Sequence, residues 1–223
     1  MANTATKLEL VPQGGNALMA LVMREGTGGH LYAASVELLS GKFATRNLAD
    51  AVHYLCTLHG RHPGVVDHAA TRTVDSAARK WLIDAVDGFS AERAQLAKLV
   101  VAAGPLPSTP GQAESEAAVV SQRHALEMLA QSDRQGCAIG AALSLVLDWA
   151  AVRGLLDVAA DRFGIDRVSS TLPAPEASLE LYTTLGQNPA VERAMNFGAQ
   201  QLIGQHHGLW DLLEARQAAR GEY

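Results

Sequence analysis

The sequence predicts an all-α fold: a single-domain multi-helix bundle of about seven or eight helices around a central buried helix near residues 135–163. Three observations predict it. Apolar residues recur at helical spacing along nearly the whole chain, and no convincing period-two alternation occurs beyond its first residues. The stretch 135–163 is apolar all round in its first half, as in a helix covered on every side. Capping residues, glycines and prolines fall between the periodic segments, where helices start and stop.

Taken in order, residues 1–16 read as a loose lead-in and 17–220 as the helical domain. A short apolar run from Ala17 to Met23 ends at Gly26-Thr27-Gly28-Gly29, the only glycine cluster. That cluster lacks the Lys-Ser/Thr of a phosphate loop and the spacing of a dinucleotide fingerprint, so it reads as a turn. A helix is expected from His30 to Leu39, with Leu31 inward and His30 and Glu37 outward. Asn47 reads as the cap of the next helix, with Asp50 in the capping-box position, running to about His62 before Pro63-Gly64. One amphipathic helix is expected over 65–86, and another over 90–103 with Ser90 as its cap.

Three prolines between Gly104 and Gln112 exclude a helix there, and an inter-helix loop is expected. Helix 112–132 follows, then the central helix, whose outer face carries Arg153, Asp157 and Asp161 at spacings of four. After an irregular segment come a short helix from Ala177 to Leu185 and a long final one. The final helix opens with a cap and a first-turn proline at Asn188-Pro189, and Gly204 and Gly208 are potential bends.

Composition narrows the function. Of 223 residues, 48% are hydrophobic and only 18% charged, so little charge is left to cover a surface and a homodimer is expected. The net charge of −5 and the absence of a basic run disfavour nucleic acid. The apolar stretch is followed directly by Asp148 and Arg153, which disfavours a membrane span. No charged-then-apolar leader is visible, and Cys56 and Cys137 form no CxxC pair. A cytoplasmic protein with reduced core cysteines is therefore expected.

Helical phasing at roughly 100° per residue sorts the polar groups. Among eight histidines, His53, His62 and His68 fall outward, and His207 pairs with Asp211 on a solvated face. Glu116, His124 and Glu127 share a face with Arg123 and Gln131, which reads as solvent-facing. Three polar groups on three helices fall inward: His59, Asp148 and His206. Cys56, Trp149 and Trp210 are the expected lining beside them.

Two imidazoles and a carboxylate are a competent ligand set for Fe(II) or Zn(II), and a carboxylate beside a histidine can equally tune a general base. The same groups could instead be satisfied locally, as any buried polar group must be. No Glu-x-x-His, HExxH or GxSxG occurs. The architecture is similar in kind to ferritin-like and haem-oxygenase-like bundles, an analogy of fold alone. Two functions follow as expectations: a metal- or small-ligand-binding protein using an inter-helix pocket, or a non-catalytic homo-oligomeric interaction protein with structural histidines.

Overall fold

A computed structural model describes residues 13–221. The described residues form a packed bundle of α-helices with no strand. The helices are α1 (Gln13–Glu25), α2 (Val36–Leu39), α3 (Ala44–His59), α4 (Val65–Arg72), α5 (Arg79–Ala103), α6 (Gln112–Ala130), α7 (Cys137–Phe163), α8 (Pro175–Leu185) and α9 (Pro189–Ala219). Short 3₁₀ turns lie at Thr27–Gly29 and Ser76–Ala78. Most of the expected lead-in lies outside the described residues; α1 begins within its last few positions.

Helix α7 is the axis. Every residue from Cys137 to Trp149 is buried, including Asp148. By length and composition it could cross a membrane, yet 83% of its most apolar window is covered by the protein itself. It lies closest to α9, where a Cβ on Gly140 would come within 2.2 Å of the Met195 carbonyl oxygen. Likewise a Cβ on Gly198 would meet the Cys137 carbonyl oxygen at 2.1 Å. Glycine on both helices therefore permits backbone-to-backbone contact, which fixes the register of His206 against Asp148. The buried apolar residues of α1 through α9 then join into one contiguous core around this pair.

Several elements depart from the sequence pattern, each for a tertiary reason. The helix expected over 65–86 is interrupted after Arg72. Thr73 is extended, Val74 is 89% exposed, and the Asp75 side chain accepts from Ala77 N–H to start a new turn. Conversely, α5 runs through Ser90 without a break, because Phe89, Glu92 and Leu96 are all buried and outweigh a local cap. The helix expected from His30 shrinks to α2, capped by Ser35, which accepts from Leu38 N–H. Leu31 is consequently exposed and His30 buried, the reverse of the helical phasing.

Asn47 and Asp50 are not caps, since α3 begins at Ala44 and both side chains are buried inside it. Asp50 accepts from Arg216 and Arg220, and Asn47 donates to the Glu37 carbonyl. The same two arginines donate to Thr109, tying the proline-rich loop to α3 and α9. Arg153, expected on an outer face, is buried against Glu92 at 2.7 Å while also bonding Asp157. Asn188 does cap α9, which continues as one helix to Ala219.

Candidate functional site

His59 is the last residue of α3, Asp148 sits near the middle of α7 and His206 just past the middle of α9. All three are buried, at 5%, 1% and 1% exposure. They form a line. Asp148 Oδ2 lies 2.6 Å from His206 Nδ1, and His206 Nε2 lies 2.8 Å from His59 Nε2.

A fourth residue completes it. The Thr27 backbone N–H donates to Asp148 Oδ1 at 2.8 Å and the Thr27 hydroxyl to Oδ2 at 2.6 Å. Trp210 Nε1–H then donates to Thr27 Oγ1 at 2.9 Å. With the His206 Nδ1–H the carboxylate collects three donors, the kind of environment in which a buried anion is stable without a cationic partner. Gly26 makes this possible, since a Cβ there would stand 2.3 Å from Asp148 Oδ1 and 2.4 Å from the Val22 carbonyl oxygen.

With Asp148 as a carboxylate, the hydrogen-bond geometry assigns one consistent set of tautomers. With His206 neutral, its Nδ1–H goes to the carboxylate and its Nε2 lone pair accepts from His59 Nε2–H. That leaves a lone pair on His59 Nδ1, since the hydrogen bond of this ring among the described residues runs through Nε2. Burial chiefly, then the neighbouring His206 and Arg93, hold the His59 imidazole well below the usual histidine range, so it is neutral at pH 7. Its ring stands edge-on to Trp149, with centroids 5.4 Å apart. His59 also forms one wall of a cleft of about 20 Å³, together with Phe89, Arg61, His68, Arg123 and Glu127. That volume admits a single water-sized group. A surface groove of about 530 Å³ beside Val74 and Ile83 includes none of the four linked residues.

The arrangement does not match the two-histidine, one-carboxylate ligand set expected from sequence. Asp148 occupies the far nitrogen of His206, not a position shared with His59. The His59 and His206 ring centroids are 4.9 Å apart and the facing nitrogens 2.8 Å, so the nitrogens point at one another. An ion between them would sit well inside the roughly 2.0–2.1 Å of a zinc–nitrogen bond. What this geometry can do is hold and pass a proton.

Of the expected lining, Trp210 anchors Thr27 and Trp149 walls His59, its own Nε1 lacking a partner. Cys56 takes no part in the hydrogen-bonded line; it is half-buried, and burial pushes its thiol up. Thr27 and Gly26 escaped sequence reasoning, although the one glycine cluster in the chain was their visible signal.

Fold and site together define an all-α bundle protein with a carboxylate–imidazole–imidazole line through its core. The chain belongs to the family of unknown function DUF6975, whose model matches residues 22–221, a span that includes all four linked residues. No curated protein and no solved structure matches the chain.

Proposed function

We propose that this protein holds a water-sized polar molecule at the cleft where His59 surfaces and exchanges a proton with it through the line Asp148–His206–His59. The observation that carries the reading is the unbroken buried connection ending in an imidazole nitrogen with its lone pair. A proton arriving at His59 Nδ1 releases the Nε2 proton to His206 Nε2. His206 becomes an imidazolium facing the Asp148 carboxylate at 2.6 Å, and His59 returns to a neutral form with its proton on Nδ1. The reverse sequence delivers a proton to the ligand, so the same line serves as general base or general acid. Thr27 and Trp210 hold the carboxylate in place, the orienting role of the third group in a nucleophile–base–acid arrangement. The two free cysteines fit a reducing, cytoplasmic setting.

Histidine side-chain ¹⁵N spectra at pH 7 test the reading directly. The expected pattern is a proton on Nδ1 of His206 and on Nε2 of His59, with ammonium, a weak acid of about the size of water, shifting His59 first and His206 through it. A His59 proton fixed on Nδ1, or ammonium that leaves both histidines' ¹⁵N shifts unmoved, would overturn it.

A further inference from the structure

We propose that His30, His207 and Asp211 form a second site, at the surface, for a divalent transition-metal ion such as Zn(II). Among the described residues this is the group of histidine, cysteine and carboxylate side chains whose ligand atoms gather, all within 4.8 Å of one another. His207 and Asp211 stand one turn apart on α9 and so share a face. The 27–29 turn delivers His30 to the same face. Helical phasing pairs His207 with Asp211 but places His30 outward on a separate helix, so only the tertiary structure brings the third ligand in.

The bonding around each ring sets what an ion would meet. His207 Nδ1–H donates to the Glu25 carbonyl at 3.1 Å, which turns the Nε2 lone pair outward. A carbonyl on the far nitrogen is the usual support of a ligating histidine. His30 Nδ1 accepts from Tyr32 N–H at 3.2 Å, so without metal its proton sits on Nε2 and is donated to Asp211 Oδ1 at 3.1 Å. Zn(II) takes the place of that proton. The Nε2–Zn bond forms, the proton moves through solvent to Nδ1, the Tyr32 contact is given up, and Asp211 changes from acceptor to ligand. Asp211, 62% exposed, has the freedom to close on the ion, whereas His30 is buried. Two nitrogens and one oxygen suit zinc, cobalt or nickel, with water filling the open position; they do not suit magnesium or calcium. Because Thr27 lies three residues before His30, the ion also clamps onto α9 the turn that holds Asp148.

The test is zinc titration by calorimetry on the full chain without a histidine tag, alongside its melting temperature. One equivalent should bind and raise the melting temperature. His207→Ala and Asp211→Ala should each weaken binding by at least about tenfold, and the double variant should abolish it. Without metal each variant gives up one native hydrogen bond, from His30 or to the Glu25 carbonyl, so each should melt below the native protein, and zinc should no longer raise its melting temperature. Zinc uptake that survives in the double variant, through Cys56 for example, overturns the site. So does a native chain that takes up none.

Discussion

Thr27 donates to both oxygens of Asp148, from its backbone N–H at 2.8 Å and from its hydroxyl at 2.6 Å, across 121 positions of sequence. A short turn after the first helix thus holds the one acid in the middle of the most apolar helix. Everything that follows on the line, His206 and then His59, is oriented from that anchor.

Removing the hydroxyl should be costly out of proportion to its size. Thr27→Val takes a donor from Asp148 and leaves the Trp210 N–H without an acceptor. The expected loss is about 1–3 kcal/mol, read from urea unfolding, with Thr27→Ser retaining most of the stability. A Val variant as stable as native would mean the hydroxyl bonds contribute nothing net.

Asp148→Asn is expected to reverse the line without emptying it. Either orientation of the new amide sets its NH₂ against a donor. The accessible remedy is for His206 Nδ1 to lose its proton and accept, which moves a proton to its Nε2 and obliges His59 to accept there. Side-chain ¹⁵N shifts should show both tautomers exchanged, and stability should fall by about 1–3 kcal/mol. Unchanged tautomers in the Asn variant would contradict the hydrogen-bond assignment.

The depressed affinity of His59 for a proton makes stability depend on pH in a defined direction. Below its ordinary value of 6.5 the unfolded chain protonates at this position while the folded chain does not. Unfolding therefore takes up a proton, and the contribution is fully present above that pH and lost as pH falls towards the folded value. The slope attributable to this residue approaches about 1.4 kcal/mol per pH unit. Between about pH 6.5 and 5, above the main carboxylate titrations, His59→Gln should show a shallower decline than the native chain. Parallel curves for the two proteins would show that His59 titrates normally in the folded state.

Two glycines of the same cluster should respond in opposite ways. Gly26→Ala drives a methyl group into the pinned Asp148 carboxylate and the Val22 backbone, neither of which can retreat. Gly28→Ala meets only the Ala151 methyl at 3.5 Å, an ordinary contact. The first should lose about 1–3 kcal/mol or more, and the second should stay within about 0.5 kcal/mol. Thermal melts of the pair are sufficient, and equal effects would remove Gly26 from the site.

By itself the sequence determined the helical class, the central position of α7, the cap at Asn188 and the inward direction of His59, Asp148 and His206. These are consequences of local periodicity: a residue's side of a helix is set by counting, provided the helix is long and regular. Counting failed where the helix itself was not local property. The break at Thr73–Asp75, the unbroken passage through Ser90, and the shrinking of the His30 helix to α2 all turn on burial against distant segments. Only the tertiary structure decided that the three inward groups form a line and not a cage. The close α7–α9 contact through Gly140 and Gly198 and the approach of the Gly26–Thr27 turn select which nitrogen of His206 meets the acid. Hydrogen-bond direction over a few ångströms depends on how whole helices are set against one another, and no periodicity within one segment encodes that.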